Sequence, residues 1–174
     1  MVLGRERREG RRAERAAFGL RGSADRHQMR EKLLSIGDDF WIADESGRRV
    51  FKVDGKALRL RQTLIIEDAS GKPLVRIQDR PLRLREVMEI EDASGGNLAM
   101  VKKAMIAPLR QRYNIDLSDG GQLTAQGNIL DHEYEIESGG TKVAEVSRRW
   151  CRVRDTYGVQ IAPGQNTVLL LAVA

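Results

Sequence analysis

The sequence predicts an all-β fold of successive hairpins closed around one buried helix. Three observations predict it. A turn motif, Asp-x-Ser-Gly, returns at a spacing of 24 residues. The stretches between turns alternate apolar and polar residues with a period of two, as half-buried strands do. Helix signals are nearly absent until the C-terminal end. There Pro163-Gly164 is followed by Asn166, a suitable N-cap, and then by the apolar run VLLLAVA. A helix apolar on all sides belongs inside a protein.

The repeat is clearest in IIEDASGKPLVRI (65–77) and EIEDASGGNLAMV (89–101). Stepping back 24 residues from Asp68 reaches Asp44-Glu45-Ser46-Gly47. Stepping forward 24 from Asp92 reaches Asp116-Leu117-Ser118-Asp119, with Gly120 one place on. Glu137-Ser138-Gly139 follows at a shorter interval. Asp and Ser initiate turns by bonding nearby backbone, and Gly supplies the positive φ. Each unit therefore reads as two strands, a tip and a return connection. A calcium loop would need acids at alternate positions and a closing glutamate, which no tip supplies. The arms repeat as well. ALRLRQ (57–62) and PLRLRE (81–86) each alternate Leu with Arg. With Leu58, Leu60, Leu82 and Leu84 inward, Arg59, Arg61, Arg83 and Arg85 point outward. Later strand candidates include LRQRYNIDL, QLTAQGN, HEYEIES, TKVAEVSRRW and RVRDTYGVQI.

At 174 residues with 41% hydrophobic content, the chain suits one domain with a sizeable core. No apolar run approaches the roughly 18 residues of a spanning helix. The N-terminus lacks the apolar core of a signal peptide, and Cys151 is the single cysteine. A cytoplasmic protein, with peripheral membrane association, is the expectation. The net charge of +5 is concentrated in residues 1–28, which hold eight Arg and four acids. That segment reads as a disordered Arg-rich extension, and 29–174 as the folded domain. An anion-touching arm and a plain solvated extension both fit such a tail.

Catalytic constellations are missing. There is no G-x-S-x-G elbow, no glycine-rich phosphate loop and no Walker A sequence. Asp131-His132-Glu133 reads as a loop or strand start, because neighbouring strand residues face opposite ways. Cys151, flanked by Arg149, Arg152 and Arg154, reads as a strand cysteine packed on one face, with a reactive thiol as the alternative. No catalytic residue, metal ligand or cofactor is expected.

FKVDGKALRLR (51–61), GNILDHEYEI (127–136) and RDTYGVQIAPGQN (154–166) resemble the LURP-one-related family. The resemblance implies a closed antiparallel β-barrel of the tubby C-terminal type, also similar to the phospholipid scramblases, enclosing a hydrophobic C-terminal helix. It further implies that this helix is short or truncated at Ala174. The expected function is non-enzymatic: binding of an anionic ligand or membrane head group, phosphoinositide-like, through Arg59, Arg61, Arg83 and Arg85. Lys102, Lys103, Arg110, Arg112, Arg148, Arg149, Arg152 and Arg154 add further cations. The alternative is a protein-interaction or structural scaffold. Scramblase-like activity needs a longer apolar end. Nucleic-acid binding lacks stacking aromatics, which are only 5% of residues. A monomer is expected.

Overall fold

The computed structural model describes residues 24–30, 39–54, 63–79, 87–107, 110–151 and 156–174. The chain forms β1 (Asp25–Arg30), β2 (Phe40–Asp44), β3 (Arg49–Asp54), β4 (Thr63–Asp68), β5 (Pro73–Asp79) and β6 (Val87–Asp92). It continues with β7 (Asn97–Ala107), β8 (Arg110–Leu117), β9 (Gln122–Asn128), β10 (Glu133–Ser138) and β11 (Thr141–Ser147). A 3-10 turn (Arg148–Trp150), β12 (Thr156–Ile161) and helix α1 (Thr167–Val173) complete it. Every strand pairs antiparallel with its sequence neighbour, and β1 pairs with β12. The sheet is thus a closed antiparallel barrel with no open edge.

The repeat becomes a repeated piece of core. Ile42, Ile66 and Ile90 each stand two residues before a tip aspartate, and none is more than 2% exposed. Ile115 and Ile136 are likewise 0% exposed. Inward residues meet across successive seams: Val53 faces Ile66, Ile77 faces Ile90, Val101 faces Ile115, Ala125 faces Ile136, and Ala144 faces Ile161. The register shifts just after Ile42, Ile66, Ile90 and Ile136. Such bulges sharpen the local twist that closure requires.

The tips owe their shape to one carboxylate oxygen. Oδ1 of Asp68 accepts from the Ser70 amide (2.8 Å), the Ser70 hydroxyl (2.6 Å) and the Lys72 amide (3.0 Å). Asp44 and Asp92 repeat this pattern with Ser46 and Arg48 and with Ser94 and Gly96. Gly47, Gly71 and Gly95 sit at φ 81°, 85° and 89°, which a Cβ would strain. The fourth tip is offset by one residue. Leu117 takes the turn-opening position, bonding the Gly121 carbonyl as Asp68 bonds that of Lys72. Asp116 stays on the strand and accepts instead from Lys102 (2.7 Å) and Gln122 (2.9 Å). The fifth tip is a two-residue loop, Gly139-Gly140, with both φ positive (55° and 81°), as a type I′ turn demands.

These bonds hold the tip carboxylates below their ordinary range. The Ser46 hydroxyl, above all, draws Asp44 down to about 2, and Ser70 and Ser94 lower Asp68 and Asp92 in the same sense. A carboxylate depressed in the folded chain stabilises it above the ordinary value of 3.8 and ceases to do so as pH falls toward 2. The melting temperature should therefore drop across that window. An Asp44→Asn/Asp68→Asn/Asp92→Asn variant should melt lower at neutral pH and show a shallower drop in acid. Parallel pH profiles for the two proteins would show that the tips do not carry this dependence.

Helix α1 fills the barrel from the tip end. Asn166 caps it, its side-chain oxygen accepting from the Leu169 amide at 3.1 Å. Leu170 and Leu171 are 2% exposed, and Val168, Leu169, Ala172 and Val173 pack against the core. The Tyr134 hydroxyl donates to the Ala174 carbonyl oxygen. Burial pushes the Tyr134 phenol well above its ordinary value, so it remains a donor. A seven-residue helix is about 10 Å long. Met88, two residues from the fully buried Ile90 on the same face, is 47% exposed.

The boundary expected between 28 and 29 is corrected. Residues Asp25–Arg30 form β1, whose six residues all pair with β12. His27, read from sequence as part of a tail, points inward opposite Val159 and is 7% exposed. Its ring lies 5.9 Å from that of Phe51. Burial lowers its pKa, partly countered by Asp25 and Asp44. Residues 1–23 lie outside the described residues.

Candidate functional site

Up-and-down topology gives the barrel two chemically different ends. One carries the tips after β2, β4, β6, β8 and β10. The other carries the connections 31–39, 55–62, 80–86, 108–109, 129–132 and 148–155. These connections hold eleven Lys or Arg against six Asp or Glu. Between strands, the tips at 45–48, 69–72, 93–96, 118–121 and 139–140 hold two basic residues and two acidic ones, and the strand-end Asp44, Asp68 and Asp92 add three acids beside them.

The expected quartet Arg59, Arg61, Arg83 and Arg85 lies outside the described residues, as do Arg152 and Arg154. Among the described residues β4 starts at Thr63 and β6 at Val87. The remaining cations divide by environment. Arg110 and Arg112 are exposed on β8, near the basic end. Lys102 is tied to Asp116. Lys103 stands on the inward register opposite Tyr113, its ammonium 5.9 Å from that ring, so it is not an outer-surface cation. Arg148 and Arg149 lie on the 3-10 turn rather than on a strand, which ends at Ser147.

That turn is fixed by Glu133. Its Oε1 accepts from the Ser147 hydroxyl (2.9 Å) and the Arg148 amide (3.1 Å), and Ser147 caps the turn by accepting from the Arg149 amide (3.2 Å). Arg149 remains 76% exposed, 3.7 Å from Glu133. Glu133 is therefore spent on the turn and does not converge with Asp131, which bonds Asn128. His132 lies in a turn at φ 51° and stacks on Tyr157, with centroids 4.2 Å apart. Among the described residues no three His, Cys, Asp or Glu side chains gather as a metal site.

The turn also builds a feature that sequence reading missed. Trp150 lies over β12 because residue 158 is glycine: a Cβ there would come within 2.9 Å of the indole Cε3. Trp150, Cys151, Gly158, Arg26, Gln28 and Glu45 line an open cleft of ≈ 270 Å³ on the outer wall, with His27 adding to its floor. Arg26 holds its guanidinium 5.9 Å from the Trp150 ring. Cys151 is thus not a strand cysteine; it is a half-buried free thiol after the turn. The sequence signal was faint: a glycine inside an otherwise continuous strand, TYGVQI.

The fold has a solved counterpart. An X-ray structure of a protein from Arabidopsis thaliana is similar with a TM-score of 0.63, covering 85% of this chain and 86% of that one. The two share 17% sequence identity, so this likeness concerns the fold alone. No curated protein matches the sequence. Among the described residues no helix is long and apolar enough to cross a membrane. The LURP-one-related family model matches residues 26–174, spanning every strand but the first residue of β1, and the chain belongs to that family.

Proposed function

We propose that the barrel is a non-enzymatic binding module that takes an anionic head group, of the phosphoinositide kind, on the end opposite its tips. The observation that supports this reading is the axial division of charge: basic connections at one end and acidic tips at the other. Arg59 and Arg61 stand in the chain between β3 and β4, Arg83 and Arg85 between β5 and β6. The two segments therefore leave from strands that neighbour one another in the wall. Guanidinium groups suit phosphate because they offer two parallel donors. A barrel approaching an anionic membrane with this end first also directs its acidic tips away from the surface. That orientation lowers repulsion, and salt weakens the attraction.

Co-sedimentation of the full chain with vesicles tests this. Phosphatidylcholine vesicles containing a phosphoinositide should pellet the protein at low salt, and phosphatidylcholine alone should not. Basic residues near an anionic surface contribute about 1 kcal/mol each. Arg59→Ala/Arg61→Ala/Arg83→Ala/Arg85→Ala should accordingly weaken binding by roughly a hundredfold or more. Absence of pelleting at low salt would sink the proposal. Pelleting by the quadruple variant at wild-type strength would remove these four residues from it.

A further inference from the structure

The cleft beneath Trp150 holds polar groups that nothing in the described structure uses. Several charges elsewhere on the wall are spent on one another. Lys52 meets Asp39 and Glu67, Lys142 meets Glu145 and Glu135, and Lys102 meets Asp116. Arg26 and Glu45, by contrast, carry no ion pair among the described residues, though both line the same cleft. Arg26 has only the face of Trp150. Gln28, exposed on the same strand, adds an amide with both donor and acceptor.

The parts come from separate regions of the chain, and the fold sets the backbone that carries each. Arg26 and Gln28 are on β1, held along its length by β12. Glu45 sits in the first tip, whose backbone is clamped by Asp44. Trp150 is set by the Glu133-anchored turn and by the missing Cβ at Gly158. A cation, a carboxylate, an amide and an indole are thus brought to one cleft by elements distant in the chain. Small-molecule pockets run from roughly 300 Å³ upward. At ≈ 270 Å³ this open cleft lies just below that range, which limits its occupant to about amino-acid size.

We infer that the cleft is a binding site for a small zwitterion of the free amino-acid class. The ligand's carboxylate meets Arg26, its ammonium meets Glu45, and its apolar part lies along Trp150. Trp150 and Cys151 belong to the 148–155 connection, but the cleft lies on the outer wall and does not depend on the head-group reading.

Cys151 is the chain's single cysteine and lines the cleft, so it reports occupancy without labelling elsewhere. The probes are four symmetrical disulfides: cystine (zwitterionic), cystamine (cationic), dithiodipropionate (anionic) and hydroxyethyl disulfide (neutral). The Cys151 thiolate attacks one probe sulfur and forms a mixed disulfide. The probe's own S–S bond breaks, and its other half leaves as a thiolate that takes up the proton Cys151 released. Intact mass follows the rate for the full chain. Dividing by the rate of each probe with a free thiol in solution removes intrinsic reactivity. Cystine should exceed both the cationic and the anionic probe by about threefold, as expected of one exposed ion pair. Arg26→Gln should slow cystine and dithiodipropionate only; Glu45→Gln should slow cystine and cystamine only. Arg49→Gln, whose side chain stacks on Trp41, should change none of them. Free leucine should protect Cys151 from hydroxyethyl disulfide, and N-acetylleucine amide should not. Normalised rates that rank alike in all four proteins, or equal protection by the two leucine compounds, would overturn the inference.

Discussion

Replacing Ile90 by alanine should remove on the order of 3 kcal/mol of folding stability. Ile90 is 0% exposed and faces Ile77 on one side and Ala99 on the other. Its side chain belongs to the ring that the repeat places two residues before each tip. The loss combines transfer energy with a residual cavity, because a closed barrel is held on both sides and collapses poorly. Domains of this kind are stable by only about 5–15 kcal/mol, so the change is a large fraction of the whole. Urea unfolding should show a lower midpoint at unchanged slope. Met88→Ala, two residues away on the same strand and face but 47% exposed, should cost far less. Equal costs at the two positions would mean that the barrel interior is uniformly loose, contrary to the packing described.

The second large effect is expected at Gly127. Its φ is +147°, and a Cβ would stand 2.7 Å from the Glu133 carbonyl oxygen and 2.7 Å from Tyr134 Cα. Both obstacles belong to the partner strand, where Gly127 pairs with Tyr134. Neither can rotate away as the end of a flexible side chain would. Gly127→Ala therefore forces β9 and β10 apart just where Tyr134 reaches the Ala174 carbonyl. The expected cost is on the order of 3 kcal/mol, from backbone strain and overpacking together. Near-ultraviolet circular dichroism of the tyrosines should change with it. Gly71→Ala, at φ +85° but with no atom within 4 Å, separates the two causes, since it carries strain alone. If Gly127→Ala cost no more than Gly71→Ala, the close approach of the strands would not matter.

The order of strands and the position of the helix were legible because local chemistry specifies them. Asp68 and Asp92 build their turns from residues two to four places away, so a short motif suffices. Asn166 caps α1 within three residues of itself. The Asp pattern points to Asp116 for the fourth tip, one residue early. The buried Ile115 and its inward register place Leu117 at the turn instead. Strand β1 is not legible in the sequence, because DRHQMR has no apolar alternation of its own. Its place is set by six pairings with β12, more than a hundred residues away in the chain.

The sequence by itself determined the repeat, the all-β class, the buried helix and the acidic character of the tips, since each rests on contacts within a few residues. Only the tertiary structure decided which chemistry shares a surface. Closing the sheet brings β1 beside β12, and so sets Arg26 beneath Trp150 and in the same cleft as Cys151 and Glu45. The closed strand order likewise makes β4 and β5 neighbours in the wall, a pairing that continues around the whole barrel. The closure itself depends on a pairing between strands far apart in the chain, which no local pattern encodes.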